Sequence, residues 1–162
     1  MKNSPTVKII LYASDLGGGT IPVFHHALAM AKQYDAEIIM VHVVEPMSDS
    51  AKAVIKAYLA KDITNDVQKD VMNNTLVKMK KRLQGFYKAE GLDSDYSKLV
   101  KKVHVITGKP SEEILRIAEN ENVDMIIMGK STRKVRGIRV MGSTARRVSR
   151  MSKVPVLVVP NF

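Results

Sequence analysis

The chain has 162 residues, of which 45% are hydrophobic, 26% are charged and none is cysteine. This length suits one domain with a substantial core, residues 1–162, and the absence of cysteine excludes a disulfide scaffold, a thiol nucleophile and a thiolate metal site. The net charge of +10 favours an anionic partner, and with no signal sequence and no apolar run that could cross a membrane we expect a cytoplasmic protein.

The first predicted element is a strand over residues 7–13, which are apolar and rich in β-branched side chains. The glycines at 17–19 then predict a loop. Thr20 is placed to cap a following helix, in which apolar residues recur at helical spacing as far as Tyr34. Residues 37–44 are apolar at almost every position, which is typical of a parallel strand that is buried on both faces.

A long helical segment, residues 51–90, is predicted next, because apolar residues recur every three or four positions. Asn73, Asn74 and Thr75 have poor helix propensity, and they predict a break within this segment. A third strand is expected at residues 102–107, and a helix is expected after Pro110, with acidic residues in its first turn. The fourth strand is expected at residues 123–128.

The last part of the chain predicts a loop from Gly129 to Met141, a short helix from Gly142 to about Met151, and a fifth strand at residues 154–159. We find no short hairpin signal between two strands. Strands that alternate with helices imply right-handed crossovers. The fold class is therefore α/β, a single doubly wound domain with a parallel sheet and helices on both faces.

The positive charge is concentrated near the C-terminus. Residues 125–162 contain nine Lys or Arg and no Asp or Glu. Such a cluster is typical of a surface that meets a phosphate, a polyanion or an acidic protein, but also of a solvated basic face without a partner. No aromatic residue lies between Lys130 and Lys153, so recognition of nucleic acid by base stacking is not favoured.

In an open parallel sheet, ligands bind beyond the carboxyl ends of the strands. Three segments end strands in this way: Ala13-Ser14-Asp15, Val43-Val44-Glu45 and Met128-Gly129. Gly129 permits close approach to the backbone, and the free amides at the start of the helix in Gly142-Ser143-Thr144 attract phosphate. The alternative is that Gly129 only turns the chain and Ser143 only caps the helix.

Asp15 has two interpretations, as a carboxylate that binds ribose hydroxyls or a metal, and as a cap or Asx turn for the helix that follows. Standard nucleotide motifs fail: Asp124 stands where the P-loop requires glycine, and Pro22 stands at the last glycine of G-x-G-x-x-G. The four histidines do not form a metal site, since His42 and His104 lie within apolar strands and are expected to be packed and hydrogen-bonded.

Taken together, several segments resemble the universal stress protein family over nearly the whole chain. They are Ile10–Asp15, Ile39–Pro46, Gly108–Ile114, Asp124–Gly129, Gly142-Ser143-Thr144 and Val154–Val159. Members of this family that bind ATP carry G-x-x-G, nine residues, then G followed by Ser or Thr. Gly129 and Gly142-Ser143 match at that spacing, but Thr132 replaces the second glycine.

The resemblance implies a five-stranded parallel sheet of order 3-2-1-4-5 and homodimers that pair their last strands, here residues 154–159. It also implies ATP or AMP as the ligand, with or without Mg²⁺. The adenine would lie near Asp15 and Val43, the ribose near Asp15 and Gly129, and the phosphates on the loop that contains Thr132 and on Ser143 and Thr144. A positive φ at the family's second glycine would strain Thr132, whereas a role for its N–H alone would not.

Three functions follow as hypotheses. The first is a stress-response protein that binds ATP or AMP and acts as a switch or dimeric signalling module; no evident general base accompanies the phosphate loop, so at most slow hydrolysis is expected. The alternative is a dimeric interaction protein that has lost nucleotide binding and docks acidic partners through its basic C-terminal segment. Nucleic-acid binding is the third hypothesis, and a strongly salt-dependent affinity for DNA would support it.

Overall fold

The structure is a computed structural model that describes residues 5–15, 19–46, 48–58, 61–89, 98–130 and 134–161. Gly17, Gly18 and Thr132, on which parts of the sequence interpretation rest, lie outside these residues. The elements in chain order are β1 (Ile9–Ala13), α1 (Thr20–Tyr34), β2 (Glu37–Val44), α2 (Asp49–Tyr58), α3 (Lys61–Ala89), β3 (Val100–Thr107), α4 (Pro110–Asn120), β4 (Met125–Gly129), β5 (Lys134–Val135), β6 (Ile138–Arg139), α5 (Ser143–Met151) and β7 (Val156–Val159).

The main sheet has five strands in the order β3-β2-β1-β4-β7, and all its neighbours are parallel. This arrangement confirms the predicted fold class and the strand order that the family resemblance implied. The chain moves outward from β1 through β2 to β3 and then returns to pair β4 with the other side of β1. The carboxyl ends of β1 and β4 therefore form the switch point of the sheet, where α/β folds bind ligands.

Successive side chains of each strand face opposite layers of helices, because side chains alternate along a strand. Ile10 and Tyr12 of β1 pack in a cluster with α1 and with Met79 of α3. Leu11 packs in a second cluster with residues of α4 and α5. The two apolar faces account for strands with almost no polar position in their centres, as the sequence of β2 predicted.

Asp124 holds the start of β1 against the start of β4. Its Oδ2 accepts hydrogen bonds from the backbone N–H groups of Lys8 at 2.8 Å and Ile9 at 2.9 Å. The carboxylate therefore supports the amino end of the sheet, opposite the edge where α/β folds bind ligands. This contact gives a structural reason for an acidic residue at the position that a P-loop would fill with glycine.

The predicted break at Asn73-Asn74-Thr75 was wrong, since α3 continues through all three residues. The Thr75 hydroxyl donates to the carbonyl of Val71 at 2.7 Å, so its polar group is satisfied within the helix. Packing of Met79 in the core and contact with β3 hold this helix in place. Tertiary contacts thus outweigh the weak local propensity.

The structure also contains a hairpin for which the sequence carries no short signal. Within the predicted loop from Gly129 to Met141, β5 and β6 pair antiparallel through Val135 and Ile138. Arg136 and Gly137, the two residues between the strands, have φ of 49° and 78°. Positive φ at both positions is typical of a type I′ turn, which suits the twist of a two-residue hairpin.

Among the described residues, no helix has both the length and the apolar character that a membrane crossing requires.

Candidate functional site

A cavity of about 460 Å³ lies at the carboxyl end of the main sheet. The ends of β1, β2 and β4 form one side, and the starts of α4 and α5 form another. The cavity is lined by nine of the ten residues that the sequence and the family resemblance selected: Ala13, Ser14, Asp15, Val43, Met128, Gly129, Gly142, Ser143 and Thr144. The tenth, Thr132, lies outside the described residues.

The chain that leaves β1 stays attached to β2 for one further residue. The Ser14 N–H donates to the carbonyl of Val41 at 2.9 Å, and His42 Nδ1 lies 2.7 Å from the Ser14 carbonyl oxygen. A donor on Nδ1 would satisfy this carbonyl and fix the ring. His42 is therefore packed and hydrogen-bonded, as predicted, and it holds the segment that carries Asp15 at the mouth of the cavity.

Backbone hydrogen bonds bring the end of β4 and the start of α5 together. The Lys130 N–H donates to the Val159 carbonyl at 2.7 Å, which extends the pairing of β4 with β7 past Gly129. The Gly142 N–H then donates to the Lys130 carbonyl at 2.9 Å. Gly129 and the start of α5 are therefore held side by side, although twelve residues separate Gly129 from Gly142 in the sequence.

The start of α5 lines the cavity with backbone donors that have no partner within the helix. Gly142 is its N-cap, with φ of −63° and ψ of 157°, and no side chain in the described part of the chain caps this position. Ser143, Thr144 and Ala145 line the cavity as the first helical residues. Their amides cannot find partners within the helix, and the helix dipole adds partial positive charge at this end.

Charge is divided between the two sides of the cavity. Asp15 and Glu45 lie where the chain leaves β1 and β2, whereas Lys130 and Arg146 lie beside the start of α5. Arg146 is exposed, and its guanidinium donates to the Met141 carbonyl at 3.3 Å. A ligand with hydroxyl or amine donors at one end and anionic oxygens at the other would match this distribution.

Within the described residues, no group of three or more His, Asp or Glu is arranged to hold a metal ion.

The sequence model of the universal stress protein family matches residues 6–160. The chain belongs to this family. The universal stress protein MJ0577 of Methanocaldococcus jannaschii is 28% identical over 154 residues, which cover 94% of each chain. The universal stress protein YxiE of Bacillus subtilis is 26% identical over 140 residues, which cover 82% of this chain and 85% of the relative.

Solved structures agree with the fold. The structure of MJ0577 has a TM-score of 0.69 at 28% identity, covering 97% of this chain and 98% of that one. UspA from Lactobacillus plantarum has a TM-score of 0.72 at 16% identity, covering 96% and 99%. A universal stress protein solved in complex with cAMP has a TM-score of 0.59 at 16% identity, covering 97% and 99%. At 16% identity, the likeness to the last two structures concerns the fold alone.

Asn161 is among the residues of the cavity wall that sequence reasoning did not select in this universal stress protein. Asn161 lies two residues beyond the end of β7, is only 1% exposed, and lines the cavity. The one local signal was a polar residue at the position where strand alternation, continued past Val159, would place an inward side chain. The intervening Pro160 ends the strand pattern, so this signal was too weak to use.

Proposed function

We propose that this universal stress protein binds an adenine nucleotide, ATP or AMP, in the cavity at the carboxyl edge of its sheet, and that it acts as a nucleotide-dependent switch. The observation that carries the proposal is that Gly129 lies beside the start of α5, where no described side chain caps the helix, and that both line a cavity of about 460 Å³. This volume lies within the range of small-molecule and cofactor sites.

The described residues fit the chemical parts of a nucleotide. Asp15 would accept hydrogen bonds from ribose hydroxyls or from the adenine amine, and Val43, which is half-buried, would offer an apolar surface to the base. The phosphates would meet the amides of residues 143–145 and the cations Lys130 and Arg146. Mg²⁺, where present, would be carried mainly by phosphate oxygens and water rather than by a protein cage.

A switch is proposed rather than a fast hydrolase because of where the carboxylates lie. Asp15 and Glu45 are on the β1 and β2 side of the cavity, whereas the phosphates would lie at the start of α5. His42, the imidazole in the lining, is engaged with the Ser14 carbonyl. These groups suit binding of the base and sugar rather than attack on a phosphate.

The test is isothermal titration of the protein with Mg-ATP and with AMP, together with mass spectrometry of nucleotide released from protein purified without added ligand. We expect saturable binding in the micromolar range and recovery of an adenine nucleotide from the preparation. Absence of heat, of a thermal shift at millimolar nucleotide and of any co-purified adenine compound would contradict the proposal. The interaction protein without nucleotide would then be the better description.

We also propose that the protein forms homodimers through β7. This strand pairs only with β4 among the described strands, so its outer edge presents unpaired backbone groups. Val156, Leu157 and Val158 are partly buried rather than fully covered. An apolar strand at the edge of a sheet associates readily with a second strand, and a second copy of β7 would satisfy its backbone groups.

A further inference from the structure

The buried side chain of Asn161 lies between two glycines that belong to different parts of the cavity wall. Gly19 is the N-cap of α1, and Gly129 ends β4. A Cβ added to Gly129 would lie 3.0 Å from Asn161 Nδ2 and 3.2 Å from its Cγ. A Cβ added to Gly19 would lie 3.1 Å from Asn161 Cβ. Such separations are tighter than about nine in ten Cβ contacts in proteins, so the neighbouring atoms would have to shift by a few tenths of an ångström.

Backbone conformation does not explain either glycine. Gly19 has φ of −87° and ψ of 13°, which other residues also adopt. Gly129 is not among the described glycines with positive φ, which are Gly108 and Gly137. The reason for glycine at both positions is therefore space, and Asn161 occupies that space.

We infer that Asn161 is a positioning residue for the cavity. Its side chain fixes the separation between the start of α1 and the end of β4, and it makes glycine necessary at positions 19 and 129. Since the Lys130 N–H is bonded to Val159, the end of β4 is fixed to β7 from the other side. Asn161 thus holds Gly129 in place between the start of α1 and β7. Any effect of Asn161 on ligand affinity rests on the proposed nucleotide function.

An alanine at position 129 and an alanine at position 19 would clash with different atoms of Asn161. This difference allows the inference to be tested with substitutions at Asn161. Asn161→Ala removes Cγ and Nδ2, the atoms that would meet a side chain at position 129. It retains Cβ, the atom that a side chain at position 19 would meet most closely. Asn161→Ala should therefore relieve Gly129→Ala but not Gly19→Ala, whereas Asn161→Gly should relieve both.

The first experiment measures thermal unfolding of the full chain without nucleotide. We expect Gly129→Ala and Gly19→Ala each to lower Tm by roughly 3–8 °C, as overpacking does in a protein of this size. Gly85→Ala is the matched control, because no atom within 4 Å would meet its Cβ, and we expect its Tm to be unchanged or raised. If Gly129→Ala has the same Tm as the wild-type protein, the inference is overturned before any substitution at Asn161 is made.

In the Asn161→Ala background, the loss of Tm caused by Gly129→Ala should fall to less than a third of its wild-type size, while the loss caused by Gly19→Ala should persist. Equal relief of both substitutions, or relief of neither, would overturn the inference. The comparison is made within each background, so destabilisation by Asn161→Ala alone does not affect it.

The second experiment measures the Kd for Mg-ATP in the same variants. If Asn161 positions Gly129, then Gly129→Ala should weaken binding about ten-fold, and Asn161→Ala should restore at least half of that loss on a logarithmic scale. Recovery of Tm without recovery of affinity would show that the ligand itself requires glycine at position 129, and would overturn the positioning role. If the wild-type protein binds no nucleotide, the proposed function fails. The Tm comparison still decides whether Asn161 is the reason that positions 19 and 129 require glycine.

Discussion

Two arginines on α5 have the same chemistry and different positions relative to the cavity. Arg146, close to the start of the helix, lines it, whereas Arg150 is exposed one turn further along and does not appear in its lining. Periodicity and charge counting cannot separate such residues, because both belong to the same basic cluster. The structure distinguishes them, because the start of α5 is bonded to Lys130 beside the cavity and Arg146 is the arginine close to that end of the helix.

Arg146→Ala should weaken Mg-ATP binding about three- to ten-fold, because an exposed cation that contacts phosphate contributes less than a buried one. Arg150→Ala should change the Kd by less than two-fold, because it lies away from the cavity. Isothermal titration at fixed ionic strength measures both. Equal effects of the two substitutions would indicate a general effect of net charge rather than contact with the phosphates.

Residue-scale reasoning from sequence could place a residue at the cavity where that residue lies directly at the end of a strand, and the binding role of such residues stays a prediction. Asp15, Val43 and Gly129 were selected because parallel strands end at the same edge, and all three line the cavity. Asn161 was not selected, because it acts through contacts with Gly19 and Gly129, and no local pattern relates those three positions. Thr132 lies outside the described residues, so its part in binding stays a prediction.

At the scale of elements, α4 is fastened to its neighbours by exposed ion pairs. Near its carboxyl end, Glu121 accepts a hydrogen bond from Lys102 of β3 at 2.7 Å and lies 3.2 Å from His104 Nε2. Lys153, which precedes β7, forms an ion pair with Glu119. The hydrogen bond from Lys102 is the main cause that lowers the pKa of Glu121, and the bond to Glu119 is the main cause that raises the pKa of Lys153.

The Glu121 contact should make a small contribution to stability that depends on pH. Its folded-state pKa is lowered from the usual 4.5, so the contribution is present above pH 4.5 and is lost as the pH falls through the lower folded-state value. Urea unfolding of wild type and Glu121→Gln should therefore show wild type as the more stable at about pH 7, with the difference shrinking below about pH 4.5.

The control for this prediction is Lys102→Met. Since Lys102 is the principal partner, Glu121→Gln should have less effect in that background, whereas the same effect in both backgrounds would mean that another contact of Glu121 matters more. A difference between wild type and Glu121→Gln that grows on acidification would contradict the stated direction of the pKa.

Helix and strand predictions failed in two places for opposite reasons. In α3, a locally weak segment at Asn73-Asn74-Thr75 is kept helical by core packing around Met79 and by the bond from Thr75 to Val71. In the loop after Gly129, strands of two residues each are too short to produce a recognisable alternation. Their turn has arginine rather than Asn or Asp before Gly137, so the usual sequence signal of a hairpin is missing.

At the scale of the whole molecule, the open edge of β7 predicts dimerisation. Val158→Lys places a charge on the last strand and should shift the protein toward monomer, because a buried unpaired charge at a strand edge opposes pairing. Size-exclusion chromatography with light scattering should give about twice the chain mass of 18.0 kDa for wild type and a lower mass for the variant. Circular dichroism checks that both are folded.

The control for the added charge is Val77→Lys on α3, where the valine is 49% exposed, whereas Val158 packs against the core. This change adds the same charge away from β7 and should leave the mass at that of the dimer. Monomeric wild type, or an equal loss of mass in both variants, would contradict association through the last strand.

The alternation of the five main strands with helices, the parallel sheet and the edge where the cavity opens could be predicted from the sequence alone, because hydrophobic periodicity, strand burial and the alternation of strands with helices are local or nearly local properties. The tertiary structure decided how the cavity is closed: the bond between Gly142 and Lys130, the packing of Asn161 between Gly19 and Gly129, and the placement of Arg146 rather than Arg150. These features depend on distances between segments that are remote along the chain, which are set only when the helices pack on the sheet and the strands align.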